Sequence, residues 1–139
     1  MTDEAESRHD RGRRTLSRIH DRVGEGVVAR LAEIAPDFAR HLVEFPFGDV
    51  YSRPGLDLRS RQIATIASLV TLGHAERELT WHIRGGLNVG LSRDEIVEVI
   101  MQMAIYAGFP AAVNALLVAK ETFDEIDAAA AEEARQQDA

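Results

Sequence analysis

The 139-residue sequence predicts an all-α fold, a single domain of six or seven helices. Three observations predict it. Apolar residues recur at three- and four-residue spacing, as in Ile63, Ile66, Ala67 and Val70, which sets them on one face of a helix. No segment alternates convincingly with period two, the signature of a half-buried strand. Helix start and stop residues fall between the periodic stretches, from Asp57 through Gly73, Gly90 and Ser92 to Gly108 and Pro110.

Taken in order, residues 2–23 are charged with Leu16, Ile19 and Val23 at helical spacing, an amphipathic first helix punctuated by Gly24 and Gly26. A second helix is expected over 27–34, ending at Ala35 because the residue before Pro36 disfavours the α region. A third, short helix covers 37–44. Residues 45–55 (FPFGDVYSRPG) hold two prolines and two glycines and read as an aromatic-rich loop carrying Arg53. The carboxylate of Asp57 caps the next helix by accepting orphan amide hydrogens, and Gly73 ends it. A helix over 75–89 follows, closed by Gly90. Ser92 and Glu95 have the spacing of a capping box and open a helix with a wide apolar face (Ile96, Val99, Ile100, Met103, Ala107). Gly108 stops that helix. Pro110 opens the last one, where its missing N–H costs nothing; that helix is expected to reach about residue 130, with the tail 131–139 frayed.

Composition narrows the class. One domain's worth of chain with 45% hydrophobic and 28% charged residues fits a soluble globular protein able to bury a core without staples. A net charge of −7 argues against nucleic acid as a partner, since a binder needs a basic face for phosphates. The basic run Arg8 to Arg18 reads as a solvated helix face. With no cysteine, disulfides, thiolate nucleophiles and thiolate metal sites are excluded. No apolar run reaches the ~18 residues of a membrane span, and the acidic N-terminus is not a signal peptide, so a cytoplasmic protein with no membrane partner is expected. The stretch from Ala75 to Leu117 is apolar enough that part of it would stay wet in a monomer, which predicts a homo-oligomer.

The chemistry-bearing candidates gather in one segment. His82 lies in an apolar helical stretch, and histidine titrates near neutral pH, so it reads either as a general acid or base or as a core histidine bonded to a carboxylate. Glu78 lies one turn earlier on the same face and is the candidate to orient the imidazole and keep it protonated. Arg84 is about 200° around the helix from His82, so it shares a ligand only if a cleft edge or another subunit brings it there. Arg53, in the aromatic loop, is a second candidate anion binder, because a guanidinium grips a carboxylate bidentately; Arg61 reads as a surface pair. Tyr106 and Asn114 are polar residues in apolar surroundings and are candidates to face a pocket. Gly85 and Gly86 in mid-helix serve either close packing or space for a ligand. His74 is expected to be solvated, and His9, His20 and His41 carry no motif. There is no HExxH and no His/Asp cluster at metal spacing, so no metal is expected. No glycine-rich phosphate loop exists either.

Several of these runs, in this order, resemble the carboxymuconolactone decarboxylase family: Leu56-Asp57-Leu58-Arg59-Ser60-Arg61, then Leu72-Gly73, then Glu78-Leu79-x-x-His82-Ile83-Arg84, then Asn88-x-Gly90, Glu95-Ile96-x-Glu98-Val99, and Tyr106-Ala107-Gly108-Phe109-Pro110-Ala111-Ala112. Residues 47–53 are similar to that family's tryptophan-containing loop, with phenylalanine at the first aromatic position. The resemblance covers residues 10–125. It implies an all-α fold, a trimer or a hexamer of trimers, and pockets near subunit contacts. One branch of the family, alkylhydroperoxidase D-like, uses a Cys-x-x-Cys pair and a histidine. Matching His82 to that histidine puts Ala75 and Glu78 on the cysteine positions, and the branch's relay glutamate falls near Gln62 or Ile63. Both thiols are absent, so peroxidase or disulfide-reductase chemistry is excluded for want of a nucleophilic sulfur. The cysteine-free branch is the better match. It implies a decarboxylase that uses no cofactor, converting a carboxylated lactone to an enol-lactone and CO₂ in protocatechuate catabolism, with His82 and Glu78 as the catalytic pair and Arg53, Arg84, Tyr106 and Asn114 around the substrate. Two alternatives stay open: the same fold acting on another small acid or polyketide-like substrate by acid–base chemistry, and a binding protein without activity.

Overall fold

The computed structural model of the protein describes residues 5–139. The fold is all-α. Its elements are α1 (Arg8–Ile34), α2 (Pro36–Leu42), a π-helical segment (Val43–Tyr51), α3 (Leu58–Leu72), α4 (Glu76–Asn88), α5 (Arg93–Ala107) and α6 (Phe109–Gln137). The described residues group into two compact units. One runs up to Arg61 and includes Asn88–Gly90; the other takes Gln62–Leu87 and Leu91–Ala139.

In the N-terminal unit, Ser7 caps α1 by accepting from the Asp10 amide at 3.1 Å. Leu16 and Ile19 are buried with Val43 and Phe47, and this small cluster is the unit's core. Gly12 makes the close crossing possible: a Cβ there would fall 2.1 Å from the Val43 carbonyl oxygen, and one on Gly48 would fall 2.5 Å from the Arg8 carbonyl oxygen. Charge fixes the same crossing. Arg8 Nε donates to Asp49 Oδ1 at 3.0 Å, and Arg11 Nε donates to the Gly48 carbonyl at 2.6 Å. The Arg8 hydrogen bond holds the Asp49 carboxyl below the usual carboxylate range, and the Arg11 bond adds to it.

Three local expectations are corrected in this unit. Gly24 and Gly26 do not divide the first helix; α1 runs through both, and its interruption sits at Asp21 (φ 52°, ψ −142°). Val23 is exposed. Residues 43–51 are not a loop but a π-helical turn containing Pro46. A proline ring clashes with the carbonyl one α-turn back, and the wider π-turn relieves that clash.

The C-terminal unit has the larger core. Ile66 and Val70 of α3, Leu79 and Ile83 of α4, Ile96 and Ile100 of α5, and Ala115, Val118 and Ala119 of α6 are buried in one cluster. Each fully buried Ile or Val contributes about 1.5–3 kcal/mol from apolar burial. The expected capping box is present: the Glu95 amide donates to Ser92 Oγ at 3.0 Å, and the Ser92 amide donates to Glu95 Oε2 at 2.8 Å. Gly108 ends α5 with φ 94°, a conformation that side chains resist. Gly86 serves close packing, since a Cβ on it would lie 3.0 Å from a Leu91 methyl. Arg93 makes two bonds to Asp127 (2.6 and 3.0 Å) and lies 5.0 Å over the Phe123 ring, which ties the start of α5 to α6. The helix α6 passes the expected stop near residue 130 and continues to Gln137. Bonds from Arg135 (2.8 Å) and Gln136 (3.1 Å) to Glu132 support its last turns.

Candidate functional site

The site is built on α3 and α4 of the C-terminal unit. On α3, Gln62, Ile66 and Val70 recur every four residues and are all buried. The position nearest the helix start is therefore a polar amide on an apolar stripe. On α4, Leu79, Ile83 and Gly86 are buried, and His82 sits beside that stripe, half-buried. The two stripes meet so that His82 Nδ1 lies 2.9 Å from Gln62 Oε1. An amide oxygen only accepts, so in this pairing Nδ1 carries the proton. Gln62 is fully buried, and its Nε2 has no hydrogen-bond partner among the described residues. A buried amide donor without a partner costs about 1–3 kcal/mol. A core retains such a group when something outside the protein completes it.

Gln62 is the partner of His82 that sequence reasoning missed. Its position had been read only as the place of a missing glutamate. The signal was present in the spacing, because Gln62 extends the Ile66–Val70 stripe by one turn.

Glu78 lies one turn before His82 and has an exposed side chain. Arg84 Nη2 donates to Glu125 Oε2 at 2.8 Å in a solvent-exposed pair. Tyr106 is 74% exposed on α5. Asn114 is exposed on α6 and lines a recess of about 10 Å³, the room of one water, between Val70, Leu79 and Ala115. Tyr106 belongs instead to a run of exposed large side chains that includes Met101, Ile105, Phe109, Val113 and Leu117.

Arg53 belongs to the N-terminal unit, where it lines a cavity of about 240 Å³ with Arg14 and Arg18 of α1 and with Tyr51 and Ser52. The expected Asp57 cap is present: the Ser60 amide donates to Asp57 Oδ1 at 2.7 Å, and this bond holds the Asp57 carboxyl below the usual range. His20, which carries no motif, is buried with its ring edge-on to Phe47. Among the described residues, no group of three or more His, Asp or Glu could hold a metal ion, and no helix is long and apolar enough to cross a membrane.

Comparison with known proteins agrees with the order of these motifs. The model of the carboxymuconolactone decarboxylase family matches residues 36–121. The chain is 40% identical over 96 residues to 4-carboxymuconolactone decarboxylase of Acinetobacter baylyi, covering 69% of this chain and 71% of that protein. It is 33% identical over 98 residues to an uncharacterised 15.0 kDa protein of Paracoccus denitrificans, covering 70% and 73%. It is 34% identical over 85 residues to nitrosuccinic acid decarboxylase of Metarhizium robertsii, covering 61% and 59%. The chain belongs to the carboxymuconolactone decarboxylase family.

Proposed function

We propose that this protein is a decarboxylase acting on a small carboxylated lactone, with His82 as its proton donor. The observation that carries this reading is the 2.9 Å contact between His82 Nδ1 and the buried amide oxygen of Gln62. In the reaction, the C–C bond to the departing carboxylate breaks and CO₂ leaves. The electron pair passes into the conjugated lactone carbonyl. One proton, delivered to carbon from protonated His82 through Nε2, completes the enol-lactone. Gln62 fixes the ring orientation and the tautomer. Glu78, exposed one turn away, is placed to return a proton to the ring from solvent. Gripping the retained carboxylate falls to a guanidinium. Arg84, on the helix that carries His82, is the candidate within this unit.

Two relatives named as decarboxylases support the reaction class, and they name different acids, carboxymuconolactone and nitrosuccinic acid. The second keeps another small acid in play as substrate. The exposed run from Met101 to Leu117 supports a homo-oligomer, trimer or hexamer, that covers it.

The test is CO₂ release by purified protein from carboxymuconolactone and, separately, from nitrosuccinate. Release from the lactone with formation of the enol-lactone is expected. Release from nitrosuccinate alone would move the substrate assignment, and release from neither would refute it.

A further inference from the structure

Helix α1 contains a bend that its local sequence does not ask for. The helix is interrupted at Asp21 (φ 52°, ψ −142°), the one non-glycine residue with a positive φ among the described residues. An L side chain resists that conformation. Gly24 and Gly26, which would accept it, lie in the helical stretch beyond the bend. The two limbs of α1, residues 8–20 and 22–34, fold back on each other. Arg13 Nη2 donates to Glu25 Oε1 at 3.2 Å across twelve residues, which a straight helix would hold about 18 Å apart. A Cβ on Gly24 would fall 2.7 Å from the His20 Cβ and 3.0 Å from a Leu16 methyl. Val28 of the second limb packs on the cluster that holds Leu16 and Ile19 of the first.

Tertiary contacts therefore hold the bend against local preference. The first limb is fastened by Leu16 and Ile19 on Val43 and Phe47, by Arg8 on Asp49, and by Arg11 on the Gly48 carbonyl at 2.6 Å. Part of the basic run expected as a solvated face is spent here. None of these contacts requires the limb and its seat to belong to one chain.

We infer that Asp21 is a hinge through which two copies of this chain exchange their first limbs. Opening the hinge joins the limbs into one straight helix of 27 residues, about 40 Å long. Each first limb then docks on residues 43–49 and on the second limb of the other copy. The exchanged pair keeps the contacts of the limb and sheds the strain at Asp21, and a short hinge under strain is what invites exchange. Association entropy opposes it, so exchange grows with protein concentration.

The experiment uses the absence of cysteine from the chain. The full chain carrying Arg13→Cys and Glu25→Cys, both at exposed positions, is refolded at low and high concentration and linked with a short bismaleimide. The link closes within one chain in the folded-back form and between two chains in the exchanged form. A denaturing gel therefore separates exchange from any oligomer built on α5 and α6. A covalent dimer above the background of Arg13→Cys alone is expected, rising with concentration. Adding Asp21→Gly, which accepts the positive φ, should lower the dimer fraction about tenfold and raise the melting temperature. Adding Asp21→Ala, a better helix former, should raise the dimer fraction. Dimer at background in both the Asp21 and the Asp21→Ala proteins, or equal dimer fractions in the glycine and alanine variants, would overturn the assignment.

Discussion

The two units differ in what they leave polar. In the N-terminal unit the core is a four-residue cluster, Leu16, Ile19, Val43 and Phe47, and the buried polar residues beside it have partners: Thr15 donates to the Arg11 carbonyl at 3.0 Å and the His20 ring lies edge-on to Phe47. Asp49 takes Arg8 and Arg11, Asp57 caps α3, and arginines line an open cavity. The C-terminal unit buries a larger apolar cluster and sets an uncharged amide within it. Thr122, also buried there, is satisfied by donating to the Val118 carbonyl at 2.8 Å. Gln62 is satisfied only on its oxygen. Burying a polar group half-satisfied costs more than an apolar side chain of the same size would. The polar group that this core buries at a cost is the one in contact with His82.

The sharpest way to break this contrast is through the cores. Ile100→Ala in the C-terminal cluster should destabilise near the top of the ~2–5 kcal/mol range for such truncations, and Leu16→Ala near the bottom, read from urea denaturation midpoints. Equal losses would mean that the small cluster is as well packed as the large one.

A second test separates function from stability at Gln62. Gln62→Met should keep or raise the melting temperature while lowering kcat about tenfold, in line with the orientation role of such contacts. Gln62→Glu would place a carboxylate against the imidazole and favour its charged form. The high-pH limb of kcat/KM, where the proton donor is lost, should move up by about 1–3 pH units. A purely structural glutamine would leave that limb where it was.

The smallest effect is expected at Asp49, in the N-terminal unit. Its folded-state pKa is depressed, so its contribution to stability is present above the unfolded carboxylate pKa and is lost as pH falls through the folded one. Asp49→Asn should therefore be slightly less stable than the unaltered chain at neutral pH. The difference should close below about pH 4, near the unfolded value. A gap that persisted at lower pH would assign the effect to packing.

The same contrast explains what could be read from the sequence. Each helix of the C-terminal unit is bounded by local signals, such as the Ser92–Glu95 box, Gly73 and Gly108, and these act within a few residues of themselves. The π-helical turn at residues 43–51 was not legible, because what holds it is far away in sequence: the Gly12 backbone against Val43, and Arg8 and Arg11 against Asp49 and Gly48. At the site, His82 stood out as a titratable group in an apolar stretch. Its partner did not, because Gln62 sits twenty residues upstream, on another helix. Glu78 had been expected as the orienting group from i−4 spacing alone, whereas the amide that meets the ring at 2.9 Å comes from α3. The pairing of Arg84 with Glu125 of α6, forty-one residues on, was equally out of reach of local spacing.

The most direct test of the central claim is the rate of CO₂ release from the lactone by His82→Gln. General acid catalysis contributes about 10²–10⁴-fold, so turnover should fall at least a hundredfold while helicity, oligomeric state and melting temperature hold. A His82→Gln protein that released CO₂ at the unaltered rate would contradict the account.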